Sequence, residues 1–331
     1  MNGLQVQVGV IGAGNWGRNV VRTFHSLGAL GAVAEADDAL HPALAAQYPG
    51  VALHADYRDL LLADEIPAVV VATPAPTHGQ IARDALLAGK DVLVEKPITL
   101  ASAEAEALVA LARERGRLLM VGHLLLFQPA VQWMKAYLDQ GALGRVVSLH
   151  QERLNLGKAR AVENALWSLG VHDVAVLLYL LGGQAPCRVE ATGQRILQPS
   201  VEDDVHLHMH FLAGTTAHLH TSWLWPEKRR RLVVLGTDGM LVYDEVAQSV
   251  TLHRKRIGAD LQHVDEGSAV LFQGSGEPLM LEASHFLEGV RSRTPSPLID
   301  GRHGVDVVRV LEQASACLAA AGTEPQAGGG R

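Results

Sequence analysis

The stretch Val6-Gln7-Val8-Gly9-Val10-Ile11-Gly12-Ala13-Gly14-Asn15-Trp16-Gly17 decides the fold of the first part of the chain. A valine-rich run leads directly into Gly-x-Gly-x-x-Gly, the pattern of a buried strand, a tight turn and the start of a helix. Gly12 permits the turn, Gly14 lets a diphosphate approach the backbone, and Gly17 lets helix pack on strand. The amides that open the helix then offer unpaired N–H groups and a positive dipole end to phosphates, with Asn15 and Trp16 in the same loop. Glu35 ends the next apolar run, 18 residues after Gly17, close to the spacing of about 20 at which an acid meets a ribose 2′-hydroxyl. From Glu35 to Tyr48 there is no Lys or Arg, only Asp37, Asp38 and neutral residues. A 2′-phosphate would meet negative charge there, so NAD is favoured over NADP, with Asp37 an alternative to Glu35 as the ribose acid.

Working outward, short apolar runs recur at residues 31–35, 51–54, 68–72, 91–94 and 118–121, several of them separated by segments with helical spacing. Strands apolar on both faces that alternate with helices predict a doubly wound parallel α/β sheet, a Rossmann domain over residues 1–122. After residue 122 the rhythm changes. Helices are expected at 129–140 and 169–181, with a strand at 145–154 between them. Strand-like segments follow one another from 188 to 254, and helices are expected again near 279–291 and 304–321. This predicts an α+β domain with an open, mainly antiparallel sheet over residues 123–321. Residues 258–278 read as a long loop, and the Gly-rich tail 322–331 as disordered.

The composition bounds the function. A chain of 331 residues suggests two domains, possibly three. With 28 Lys and Arg against 35 Asp and Glu, the net charge is −7, which argues against a nucleic-acid partner, since a phosphate-backbone reader would be basic. Cys187 and Cys317 allow at most one disulfide, as suits a reducing compartment. No apolar run approaches the roughly 18–20 residues that cross a bilayer, and a strand-like run with no leader pattern opens the chain. A cytoplasmic protein with no membrane partner is expected.

Three further stretches carry chemistry. In Ala72-Thr73-Pro74-Ala75-Pro76-Thr77-His78, beyond the fourth strand, Thr73, Pro74 and His78 should border the cofactor, since ligands bind outside the carboxyl ends of such strands. Pro76 and Thr77 read as turn and helix cap. In Glu95-Lys96-Pro97 the lysine can point into the cleft, although spacing alone allows a surface lysine equally well. The polar segment from Gly157 to Asp173 holds Arg160, Glu163, Asn164 and Trp167 and ends in His172, on the first turn of a helix whose dipole favours a neutral, proton-accepting imidazole. A capping and packing role is the alternative for His172, with Asp173 complementing the dipole.

A histidine stripe is separate from these. His206, His208 and His210 alternate along one strand, and a turn at Ala213-Gly214 brings His218 and His220 beside them. Five imidazoles have the chemistry of a zinc site. No carboxylate alternates into the stripe, and a sheet face at a subunit interface explains it as well, so no metal ligand is assigned.

Taken in order, Gly12 to Gly17, Ala72-Thr73-Pro74, Glu95-Lys96-Pro97, Val121-Gly122-His123 and the helix start Gly170-Val171-His172 resemble the Gfo/Idh/MocA oxidoreductase family, over essentially the whole chain to about residue 320. The resemblance implies hydride transfer between a nicotinamide and a sugar-like carbon, with Lys96 as the cleft lysine and His172 as the catalytic histidine. It also implies an open sheet with one face at an oligomer interface, hence a homo-oligomer, dimer or tetramer. Ser168 departs from the family pattern, which often has Asp or Asn four residues before the histidine, and Asp173 is a partial replacement to consider. The run Arg153-Leu154-Asn155-Leu156-Gly157-Lys158 with Glu163-Asn164-Ala165-Leu166-Trp167 is similar to that of nucleotide-sugar 3-dehydrogenases. That points to a nucleotide-linked N-acetylhexosamine or its uronate as substrate, contacted by His123, Asn155, Arg160, Glu163, Asn164, Trp167 and Asp173. The alternatives are an inositol or simple aldose dehydrogenase of the same superfamily and, from another class, a non-catalytic NAD(H)-sensing regulator.

Overall fold

The computed structural model describes residues 6–321. Its first half alternates strand and helix: β1 (Val8–Ile11), α1 (Gly17–Ser26), β2 (Leu30–Ala34), α2 (His41–Gln47), β3 (Ala52–His54), α3 (Tyr57–Leu61), β4 (Ala68–Val71), α4 (His78–Leu87), β5 (Asp91–Glu95), α5 (Ser102–Glu114) and β6 (Leu119–Gly122). The strands lie in the order β3-β2-β1-β4-β5-β6, all parallel. Every residue of β1, β4, β5 and β6 is buried, as expected for strands with helices on both faces. Register aligns Ile11 with Ala34 and Val71, and Glu95 with Gly122. The residues that follow these strands therefore share one edge of the sheet.

The second unit begins at Gln128. It contains α6 (Pro129–Asp139), β7 (Val146–Leu156), a π-helical turn (Leu166–Gly170), α7 (Val171–Leu180), β8 (Arg188–Gln194), β9 (Asp204–His210), β10 (Thr216–Ser222), β11 (Leu224–Gly236), β12 (Gly239–Asp244), β13 (Ser249–Ile257) and β14 (His263–Gln273). Eight strands form one sheet in the order β14-β13-β12-β11-β7-β10-β9-β8. All pairs are antiparallel except β10 with β7. In β9, Val205, Leu207 and Met209 are buried and the histidines between them face outward, so one face of the sheet packs and the other is polar.

Two expectations need correction. Residues 258–278 are not a long loop: β14 occupies most of them, paired with β13 along its length. Most of its side chains are exposed on both faces, so no alternating pattern marks the strand. The second unit also does not run unbroken to the end. Glu277–Val308 belong to the first unit, and the second resumes at Arg309. This return carries α8 (Pro278–Ser292) and the start of α9 (Gly301–Ala321). Phe286 meets Phe24 of α1 edge-on at 6.5 Å, Arg293 pairs with Asp91 at the start of β5, and the Val121 amide donates to the Ile299 carbonyl (2.9 Å). Residues 322–331, read as disordered, lie outside the described residues. No described helix is long and apolar enough to cross a membrane.

Candidate active site

The first unit builds a cradle from Gly12, Gly14 and Gly17. Gly12 has φ +95°, and a Cβ there would lie 2.8 Å from the Ala72 carbonyl oxygen. A Cβ on Gly17 would come within 2.1 Å of the Gly12 carbonyl oxygen, whereas one on Gly14 would meet nothing within 4 Å. Two glycines thus close the turn and the third faces open space, as backbone approach by a diphosphate requires. No side chain caps α1, and its first turn carries no acid. Glu35 leans into the same loop, accepting from the Ala13 amide (2.6 Å) and the Asp37 amide (2.9 Å). Asp37 instead caps a short 3-10 turn by accepting from the Ala39 amide (3.0 Å), so Glu35 is the acid beside the glycines. These features fit a dinucleotide.

The loop after β4 brings Thr73 and Pro74 to the same edge of the sheet. His78 does not face this edge as a ligand contact would: it is buried, with Nδ1 2.7 Å from the Pro97 carbonyl and Nε2 2.8 Å from the Thr73 carbonyl. The ring ties the β4 and β5 loops together and acts on the edge through them. The Thr77 hydroxyl caps nothing; it bonds the Pro74 carbonyl (2.8 Å) and the Thr73 hydroxyl (2.7 Å).

Around Lys96, which is half-buried, lies a set of buried ionisable groups. Glu95 is buried, accepts from Trp16 Nε1 and, at 3.3 Å, from the Lys96 amide. Burial pushes its carboxyl above the ordinary range, against the hydrogen bond from Trp16 and the charge of Lys96. Burial first, and Glu95 second, push Glu282 of α8 well above that range. His123 is also buried, edge-on to His303 at 5.3 Å, and neither of its ring nitrogens has a hydrogen-bond partner among the described residues. Burial, then His303 and Lys96, hold its imidazole well below the ordinary value, so it is neutral. Glu282 and His303 were absent from the sequence reading. The signal for Glu282 is an acid four residues before Phe286 on the buried stripe of α8.

In the second unit, His172 is the second residue of α7, half-buried. The preceding Gly170 lets the chain press on β10: a Cβ there would lie 2.8 Å from Leu166 and 3.1 Å from Leu219. The Ser168 hydroxyl lies at 3.5 Å from the Ala165 carbonyl. Asp173, the acid in the first turn of α7, is turned away from solvent and toward Arg153. It is 1% exposed and grips Arg153 Nε through both carboxylate oxygens (2.9 and 2.7 Å). Arg153 also donates to Glu245 (2.8 Å), which accepts from Arg230 as well (3.0 Å). Against the effect of burial, Asp173 and Glu245 keep the Arg153 guanidinium charged.

The remaining substrate candidates divide. Asn155 carries a buried Oδ1 with no hydrogen-bond partner among the described residues. Arg160 is exposed and Glu163 half-buried. Asn164 is occupied structurally: Nδ2 donates to Glu202 (2.9 Å) and Oδ1 accepts from the Trp167 amide (3.0 Å). Trp167 in turn donates from Nε1 to Ser315 Oγ (2.9 Å).

The family model for the oxidoreductase family with an NAD-binding Rossmann fold (Gfo/Idh/MocA) matches residues 6–123, and that for the Gfo/Idh/MocA C-terminal domain matches residues 131–242. The UDP-N-acetylglucosamine 3-dehydrogenase of Acidithiobacillus ferrooxidans is 31% identical, over 77% of this chain and 79% of its own. Its solved structure superposes with a TM-score of 0.83, covering 95% of this chain and 98% of that one at 27% identity. Inositol 2-dehydrogenase 2 of Saccharopolyspora erythraea is 33% identical over 60% of this chain and 61% of its own. GenD2 from gentamicin A biosynthesis, solved in complex with NAD, superposes with a TM-score of 0.81 at 26% identity, covering 95% of this chain and 94% of that one. The chain belongs to the Gfo/Idh/MocA family of oxidoreductases and is a nicotinamide-dependent dehydrogenase acting on CH–OH groups.

Proposed function

We propose that this dehydrogenase uses NAD and acts on a secondary alcohol of a nucleotide-linked N-acetylhexosamine or its uronate. The observation that carries the cofactor reading is the glycine cradle closed by Glu35, whose carboxylate would accept from ribose hydroxyls and repel a 2′-phosphate. The substrate reading is supported by the extent of the likeness to the UDP-N-acetylglucosamine 3-dehydrogenase. The amides of residues 12–17 would hold the diphosphate, with Thr73 and Pro74 bordering it and Trp16 positioned by Glu95.

Bound in this cradle, the nicotinamide supplies the hydride acceptor or donor. Lys96 hydrogen-bonds the substrate oxygen and stabilises the negative charge that develops as its proton leaves. His172 takes that proton at a ring nitrogen and returns it in the reverse direction. Asn155, through its unmet Oδ1, accepts from a sugar hydroxyl or amide.

Lys96→Ala and His172→Ala, each assayed at 340 nm with UDP-N-acetylglucosamine, its uronate, inositol and simple aldoses, test the assignment. Turnover is expected to fall about 10²–10⁴-fold in each, while NAD binding by calorimetry is retained. Full activity in either variant would remove that residue's role. Turnover with inositol or an aldose but not with the nucleotide sugars would move the substrate assignment to the other branch of the family. Tight NAD binding without turnover on any of them would mark a sensor.

A further inference from the structure

The outward face of the second sheet carries a donor set that the dehydrogenase chemistry does not use. We propose that Asp204, His206 and His220 form a binding site for a divalent transition-metal ion of the zinc class.

The site follows from strand register. Asp204 and His206 are two residues apart on β9 and therefore project from the same face, so contrary to expectation a carboxylate alternates into the stripe, as its first member. The β9–β10 pairing sets His206 opposite His220 and Asp204 opposite Ser222. The two imidazoles stack with centroids 3.9 Å apart and planes 15° from parallel. His220 Nε2 lies 3.1 Å from both Asp204 oxygens, and His206 Nε2 lies 3.8 Å from Oδ1. One ligand atom from each residue falls within 4.8 Å of the others. Tetrahedral bonds of about 2.0–2.1 Å put neighbouring ligand atoms about 3.3 Å apart, so the set closes when the two stacked rings turn toward a common centre.

The donors select the ion. Two imidazole nitrogens and one carboxylate suit zinc and its late first-row neighbours, whereas magnesium and calcium require oxygen ligands. Within one chain, side-chain exposures of 21% for Asp204, 18% for His220 and 49% for His206 leave room for a fourth ligand. Trp225 lies edge-on to His220 at 5.6 Å, and Ser222 stands opposite Asp204 on β10, so both flank the ligands. Of the remaining imidazoles, His208 Nδ1 lies 2.7 Å from His218 Nδ1, His150 stacks on His218 at 4.8 Å, and His210 Nε2 lies 3.1 Å from Glu190.

The test uses the full chain, treated with chelator, desalted and titrated calorimetrically with zinc chloride. One equivalent is expected to bind per chain and to raise the midpoint of thermal unfolding. Asp204→Asn and His206→Gln, each checked for native circular dichroism, should each raise the dissociation constant at least about tenfold, while His208→Gln leaves it unchanged. The proposal is overturned if the parent binds no stoichiometric zinc, if both ligand variants bind within about twofold of the parent, or if His208→Gln weakens binding as much as they do. The readout is independent of dehydrogenase turnover, so it stands or falls apart from the substrate assignment.

Discussion

Replacing Asp173 by alanine separates a structural role from a substrate contact. In the folded chain its carboxylate is 1% exposed and holds Arg153 Nε with both oxygens. Removing one partner of a buried ion pair costs about 3–5 kcal/mol, because the other charge is left in a medium that solvates it poorly. Arg153 keeps Glu245 at 2.8 Å, so the lower end applies, about 3 kcal/mol. At about 2–4 °C per kcal/mol for a body of 150–250 residues, the unfolding midpoint should fall by about 6–12 °C in a thermal melt followed by circular dichroism. The double variant Arg153→Met/Asp173→Leu should recover most of that loss, since Glu245 retains Arg230 at 3.0 Å and matched apolar groups replace a buried pair at little net cost. A melt unmoved by Asp173→Ala, together with a raised KM for the sugar, would refute this reasoning and make the carboxylate a ligand of the substrate.

Other substitutions probe the first unit. Gly14→Ala adds a methyl that meets nothing within 4 Å, so it should leave the melting midpoint of the ligand-free protein unchanged while weakening NAD binding in calorimetry. Gly17→Ala, whose methyl would fall 2.1 Å from the Gly12 carbonyl oxygen, should instead lower stability by about 1–3 kcal/mol as well. Glu35→Gln removes a charged acceptor worth about 1.5–3 kcal/mol, so KM for NAD should rise at least about tenfold and that for NADP fall; a parent enzyme that prefers NADP would contradict the assignment. Glu282 is held well above its ordinary value of 4.5, by burial and then by Glu95, so the folded chain keeps a proton there that the unfolded chain releases. Stability from this group is complete below that value and is lost as pH rises toward the folded pKa. Glu282→Gln should therefore melt progressively higher than the parent from pH 5 to pH 8, and a gap that does not widen with pH would contradict the burial.

The sequence was legible where the physics is local. The glycine loop, Glu35 and the valine-rich strands each depend on neighbours within a turn or a strand, and all stand where the spacing put them. Adjacency to His172 suggests a shared task for Asp173, whereas one helical step rotates it inward to Arg153, 20 residues earlier. His78 looked like a ligand contact because it follows the β4 loop, but its ring spans to Pro97, 19 residues away. Glu282 and His303 reach the first unit only through the returning segment, and no local pattern announces such a crossing. β14 is hidden because a strand exposed on both faces has no period to read, and Asp204 because the apolar alternation of its strand starts only at Val205.

The returning segment also sets an order of events at the ribosome. Phe127 is made about 150 residues before Glu277, which at about 5–20 residues per second is a delay of roughly 8–30 s. Throughout that interval the nascent nucleotide-binding half has no Phe286 against Phe24 and no strand-like partner for Met120. It must wait with apolar surface uncovered while the later sheet is translated, an interval in which shielding of the emerging chain would matter.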